Sequence, residues 1–470
     1  MLLGFIALYL AASIGIGLHA ARRVRGAADY AVAGKRFATP VVTATVFATW
    51  FGAETVLGIP ATFMKEGLRG LVADPFAAVA CLVLIGLVFA RPLFRLNVLT
   101  LGDYFRARYD RPAEVVLTLC IAFSYLGWIA AQLVALGLAF SVLSAGAVDT
   151  RTGIVIGAAI VLAYTMAGGM WSVALTDYFQ AAAIVLGMAY VAWIVADAAG
   201  GAARVVEAAS SGDRFRFLPE PEARAILAWI TAGLVVALGS VPQQDVLQRV
   251  MSARDEATAV RASILGGLLY FAIAAIPIFL VAAASVIDAP MVGRLMGEDP
   301  QRILPTLILE RMPLAVQALF FGALVSAILS TASGALLAPA VALAQNVIRP
   351  LSKPTDDAAL LRLMRLTVAG LALAVTAMAL TSKLSIYQLV NESGKVVLVS
   401  SFVPLAAGLF WRRANARGAH LAIAAGLAAW IALEIALPDA LVPPALAGLG
   451  AAILGMVGGS LMPARVAKAA

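Results

Sequence analysis

An all-α polytopic membrane protein is the fold class this sequence predicts, and three observations predict it. The 470 residues are 62% hydrophobic and only 13% charged, with a mean hydropathy of +0.96; soluble domains carry about 25% charged residues. The apolar residues run in stretches of roughly twenty, the length that crosses a bilayer as a helix. Two of these stretches are interrupted by Gly and Pro at matched places along the chain.

Thirteen stretches qualify as transmembrane helices, at about 1–20, 39–64, 71–94, 113–145, 152–168, 170–197, 224–247, 260–287, 314–346, 358–382, 386–411, 418–437 and 441–462. The first carries its charges (Arg22, Arg23, Arg25) behind the apolar run, so it reads as an uncleaved span and not as a signal peptide. The pair Gly168-Gly169 separates the fifth span from the sixth. The longest connections fall near 198–223 and 288–313, and neither is long enough for a soluble domain. With the N-terminus outside, about two thirds of the Lys and Arg residues fall on the cytoplasmic side, as the positive-inside bias requires. That orientation places the chain in the plasma (inner) membrane with its C-terminus in the cytoplasm.

Composition also excludes function classes. The net charge of +8 is explained by basic cytoplasmic loops, without nucleic acid. Cys81 and Cys120 sit in apolar runs, which speaks against a disulfide framework or a metal cluster. His19 and His420 lie near span ends, so a His-based metal site is excluded. No nucleophile and base are arranged for catalysis, so the chain does not read as an enzyme. No repeated carbonyl-rich filter marks a channel.

The interrupted stretches organise the rest. The second span contains TWFGAETVLGIP (49–60), and the seventh contains GSVPQQ (239–244). Each opens a block of five spans. Five is odd, so the second block is inverted relative to the first. This is the five-plus-five pattern of secondary transporters, whose sites lie between two discontinuous helices. The competing reading is two unrelated kinks. The organisation that follows is an N-terminal extra helix and first loop (1–38), a transport core (39–411, with repeats 39–197 and 224–411), and two C-terminal helices with a tail (412–470).

Several polar residues fall inside this core. Ala327, Ser330 and Thr331 in the ninth span share one helix face, and hydroxyls with a backbone carbonyl suit a hard cation; the alternative is hydroxyls bonding back to their own helix. Asp177 lies deep in the sixth span, where an ionisable group is functional unless it bonds to Thr176 or to loop cations. Glu54 stands beside Gly52 in the broken second span. It can pair with a cationic substrate, with Lys395 or with a proton, and Trp50 one turn earlier supplies a ring face suited to an ammonium group. Tyr125, Trp128 and Gln132 share a face of the fourth span and either line a solute cavity or pack as interface anchors. Asp245 and Arg249, and likewise Glu392 and Lys395, are spaced to form ion pairs.

The motifs DYAVAGKRF (29–37), TWFGAETVLGIPA (49–61), LTLGDYFRARYD (99–110), AGGMWSVALTDYFQ (167–180), VPQQDVLQRVMSARDEATA (241–259), LSTASGALLAP (329–339) and GLFWRRANARGAHLA (408–422) occur in this order. Together they resemble the sodium/solute symporter family, with its leucine-transporter-like inverted-repeat fold, over nearly the whole chain. The resemblance implies a sodium-coupled symporter of a small organic solute that works by alternating access. It implies a sodium ion held by the backbone carbonyls of Ala48, Phe51 and Ala327 and the hydroxyls of Ser330 and Thr331, with sodium as cargo and not as a prosthetic group. Some members add a second sodium site at the Asp177 position with hydroxyls one turn further on; here those positions are Ser333 and Gly334, so one hydroxyl is missing. Segments around Trp50, 168–180 and QRV (248–250) look most like the high-affinity choline transporter branch. Gln243 replaces an aromatic of that branch, and Ser333 an acidic residue. Glu54 replaces a small or neutral residue. The partners expected are therefore a small solute, sodium and the lipid bilayer. Quaternary-amine transport, proton coupling and a transporter-like sensor are the alternatives.

Overall fold

Backbone polar groups within a bilayer must be satisfied inside their own segment, and this chain meets that demand with helices. The computed structural model describes residues 2–210, 213–384 and 386–462, the side chains of residues 391 and 392 excepted. Among them the only bridge between extended segments joins Phe37 to Ala253. Ten helices among the described residues are long and apolar enough to cross a membrane, against thirteen stretches in the sequence. Two of these elements each hold two neighbouring stretches joined at a reversal where the backbone leaves the helical region, at Gly169 inside Thr150–Ala198 and at Asp74 inside Glu54–Leu96. The seventh stretch is cut into pieces too short to count, Ala223–Ala237 and Gln244–Ser252.

Gly169 shows why the first reversal needs its residue. Its φ is +50° and a Cβ there would stand 2.4 Å from the Tyr30 carbonyl oxygen, so both conformation and space demand glycine.

The ninth span, Leu314–Ala342, is buried along nearly its whole length. A helix that is apolar all round belongs at the centre of a bundle. It packs against Thr150–Ala198, Arg111–Leu143 and Thr39–Trp50. Peripheral helices instead expose large apolar side chains such as Leu186, Ile435 and Leu454, as a lipid-facing surface does. The Ala416–Ala436 and Pro444–Leu461 helices pair closely at the C-terminal end.

Both interruptions are present. Thr39–Trp50 stops at Phe51 (φ −88°, ψ 79°), and helix resumes from Ala53–Glu54 through a wide π-type turn. Thus the break is confined to residues 51–52, while Gly58 and Pro60, expected to take part in it, lie in the π-type turn and in the helix that follows it. The second interruption occupies 238–243.

Candidate functional site

Breaking a buried helix frees backbone groups that must find partners. At the first break, side chains from other spans supply them. Thr331 Oγ1 donates to the Thr49 carbonyl at 2.9 Å and approaches the Ala48 carbonyl at 3.4 Å. The Ala53 N–H donates to Gln132 Oε1 at 2.9 Å, and Thr55 Oγ1 donates to the Trp50 carbonyl at 3.4 Å. The broken strand of backbone is thereby pinned between the fourth and ninth spans.

A cluster of oxygens follows from this. Ser330 Oγ donates to Asp177 Oδ1 at 2.6 Å, and the Thr45 hydroxyl donates to the other carboxylate oxygen. Asp177, Thr45, Ser330 and Thr331 are all fully buried. Asp177 thus joins the second, sixth and ninth spans. Its neighbour Thr176 turns back to the Ser172 and Val173 carbonyls and does not reach it. Ser333, expected beside Asp177, donates to the Ser330 carbonyl at 3.0 Å. Gly334, where a hydroxyl is missing, leaves room for a guanidinium: a Cβ there would lie 2.6 Å from Arg249 Nη2.

Arg249 is buried between the two broken spans. It donates to the Thr49 hydroxyl at 3.1 Å through Nε and to the Asp245 carbonyl at 2.9 Å through Nη1. Its charge lies 3.8 Å from Asp245 Oδ2, the ion pair expected from the spacing. Tyr125 completes this second knot. Its hydroxyl accepts from the Asp245 N–H at 2.9 Å and donates to the Asp245 carboxylate, capping the helix that restarts after the seventh-span break.

Beside the first break lies a cavity with about 60 Å³ of space for the centres of water-sized molecules. Its polar and aromatic wall includes Trp50, Glu54, Asp74, Trp128, Gln243 and Tyr387. Glu54 is 4% exposed, yet its two carboxylate oxygens receive only neutral donors: Trp128 Nε1 at 3.1 Å and Gln132 Nε2 at 2.8 Å. Lys395, its alternative partner, pairs with Glu434 at 3.4 Å instead. The proposed Glu392–Lys395 pair lies outside the described side chains. No Lys or Arg is among the described residues lining the cavity. Trp50 Nε1 is buried there without an acceptor.

The expected solute residues therefore divide. Trp50, Glu54, Trp128 and Gln243 line the cavity. Gln132 stands behind Glu54, fully buried, and Tyr125 is turned away to Asp245; neither is on the cavity wall. The expected sodium residues draw together at Ala48, Ser330 and Thr331, with Ala327 buried on the same helix and Phe51 at the break itself. Sequence reasoning missed Asp74 and Tyr270, whose hydroxyl donates to Asp74 and stands 3.2 Å from Thr55 Oγ1. A carboxylate followed by proline in an apolar stretch was the available signal for Asp74. Sequence spacing pairs Arg249 with Asp245 but carries no sign of its bond to Thr49.

A helical bundle with two interrupted spans, a buried oxygen cluster and a central cavity beside it defines a secondary active transporter. The profile of the sodium:solute symporter family matches residues 30–426, and the chain belongs to that family. It is 28% identical to the human high affinity choline transporter 1 over 82% of this chain and 67% of that protein. It is 26% identical to the sodium/sialic acid symporter of Aliivibrio fischeri over 91% of this chain and 86% of that one. Its fold superposes on a solved Na⁺-coupled sialic acid symporter in a substrate-bound outward-open state, with TM-score 0.85, 21% identity and 98% of each chain covered. The chain is thus a five-plus-five inverted-repeat symporter, with sodium as co-transported ion and a small solute as cargo.

Proposed function

We propose that this symporter carries a small organic cation, recognised by Glu54 between the faces of Trp50 and Trp128. The observation that carries the reading is a buried carboxylate on a cavity whose described lining holds no positive side chain. A charge within a membrane protein costs a few kcal/mol unless compensated. Two neutral N–H donors orient this carboxylate but leave its charge unbalanced. An ammonium group on the solute balances it, and indole faces attract the same group. The likeness to choline transporters supports the same chemistry.

The sodium ion is assigned to the carbonyls of Ala48, Phe51 and Ala327 and the hydroxyls of Ser330 and Thr331. Thr331 sits between the two functions, because its hydroxyl bonds to the backbone of the broken span that also carries Trp50 and Glu54. Sodium bound there replaces that bond and fixes the break in one conformation, which prepares the cavity for the solute. The working core is residues 39–411, with the N-terminus outside and the C-terminus in the cytoplasm.

The test is sodium-driven uptake into proteoliposomes, comparing an alkylammonium with its neutral carbon isostere. Uptake of the cation alone, abolished when sodium is replaced by potassium, supports the reading. Equal uptake of both compounds overturns it.

A further inference from the structure

Asp74 is a second carboxylate on the solute cavity, and the oxygen cluster at Asp177 does not use it. It is held from a different helix than Glu54. The fourth span anchors Glu54 through Trp128 and Gln132, whereas Tyr270 of the eighth span anchors Asp74. Tyr270 stands 3.2 Å from Thr55 Oγ1, the residue next to Glu54, so a chain of hydroxyls separates the two acids. Among the described residues, neither carboxylate has a Lys or Arg within ion-pair distance. The same cavity is lined by the aromatic residues Trp50, Trp128 and Tyr387.

From this arrangement we infer that the cavity takes a solute with two cationic nitrogens, one read by Glu54 and the other by Asp74. The inference rests on the organic-cation reading and sharpens it to the diamine class. Two carboxylates on one desolvated cavity repel each other, and their field falls most when two positive charges enter together. A single ammonium seated at Glu54 leaves Asp74 uncompensated. A short alkyl spacer between two ammonium groups fits the apolar part of the wall, formed by Ala78, Val235, Val236 and Val390. Asp74 is then a specificity-determining residue, and it sets a preference for dications over monocations.

The experiment is binding to the purified full-length protein in sodium, followed by thermal shift and by titration calorimetry. The probes are butylamine, diaminobutane and neutral pentane-like alcohols of equal length. The wild-type protein is expected to bind diaminobutane at least tenfold more tightly than butylamine. Asp74→Asn is expected to bring that ratio close to one by weakening diaminobutane far more than butylamine; Glu54→Gln is expected to weaken both amines. A wild-type ratio near one overturns the inference, and needs no variant to be seen. So does an Asp74→Asn variant that weakens both amines equally or moves only the sodium requirement. If neither amine binds in preference to the neutral probes, the organic-cation reading falls as well; if butylamine binds but diaminobutane has no advantage, only the diamine assignment falls.

Discussion

Glu54 and Thr331 meet at Gly52: a Cβ on that glycine would stand 2.5 Å from Glu54 Oε2 and 2.9 Å from Thr331 Oγ1. The residue proposed to read the solute and a hydroxyl proposed to hold sodium thus crowd the same point of the broken span. This gives coupling a physical form. An ion that repositions Thr331 alters the backbone from which Glu54 projects.

Gly52→Ala should therefore disturb both functions together. The Glu54 carboxylate can swing aside, but the short Thr331 side chain cannot without leaving the Thr49 carbonyl. The sodium concentration for half-maximal uptake and the solute KM should each rise about tenfold, equivalent to ~1.4 kcal/mol. Sodium and solute titrations of uptake check this; a rise in one alone separates the two sites.

Removing both hydroxyls, Ser330→Ala with Thr331→Ala, should raise the sodium requirement at least tenfold while expression stays near wild type. Each lost oxygen is a lost ligand for a hard cation. Uptake measured against sodium concentration decides it, and unchanged sodium dependence would remove this assignment.

Asp177→Asn should raise the sodium requirement several-fold without changing solute affinity at saturating sodium. Asp177 accepts from Ser330 and Thr45, and an amide nitrogen facing either hydroxyl breaks that arrangement. The Hill coefficient for sodium should be near one in the wild type and in the variant, because Gly334 supplies no hydroxyl and gives its space to Arg249. A wild-type coefficient near two would show a second ion.

Tyr125→Phe and Trp128→Phe should part company. Losing the Tyr125 hydroxyl uncaps Asp245 and leaves its carboxylate short of a donor, costing about 1–3 kcal/mol of stability with solute affinity unchanged. Losing the Trp128 N–H releases one Glu54 oxygen on the cavity wall, so solute affinity should fall instead. Thermal unfolding and solute binding, measured on both variants, separate the roles.

The fold was legible because a bilayer leaves the chain little choice. Apolar length marked the spans, and Gly52 and the run Gly239-Ser240-Val241-Pro242 marked the two interruptions, whereas Gly58 and Pro60 lie in helix. Ten long elements among the described residues stand against the thirteen stretches, because Thr150–Ala198 and Glu54–Leu96 each turn at one non-helical residue, Gly169 and Asp74, and the seventh stretch is cut into short pieces. Shared helix faces put Ser330 and Thr331 on one side of the ninth span, where the two hydroxyls bond to Asp177 and the Thr49 carbonyl. They failed for Tyr125 and Gln132, because a face shows direction and not depth: one side chain is captured by Asp245, the other stands behind Glu54. Asp74 and Arg249 depended on partners more than a hundred residues away, Tyr270 and Thr49, and such contacts leave no local periodicity.

The central claim is that Glu54 reads a positive charge on the solute. Its most direct test is calorimetric binding of an alkylammonium and its neutral carbon isostere to wild type and Glu54→Gln at one fixed sodium concentration. The account predicts that Glu54→Gln weakens the cation by about 1.5–3 kcal/mol, the scale of a hydrogen bond to a charged group, and leaves the neutral isostere nearly unchanged. Equal losses for both compounds would contradict it.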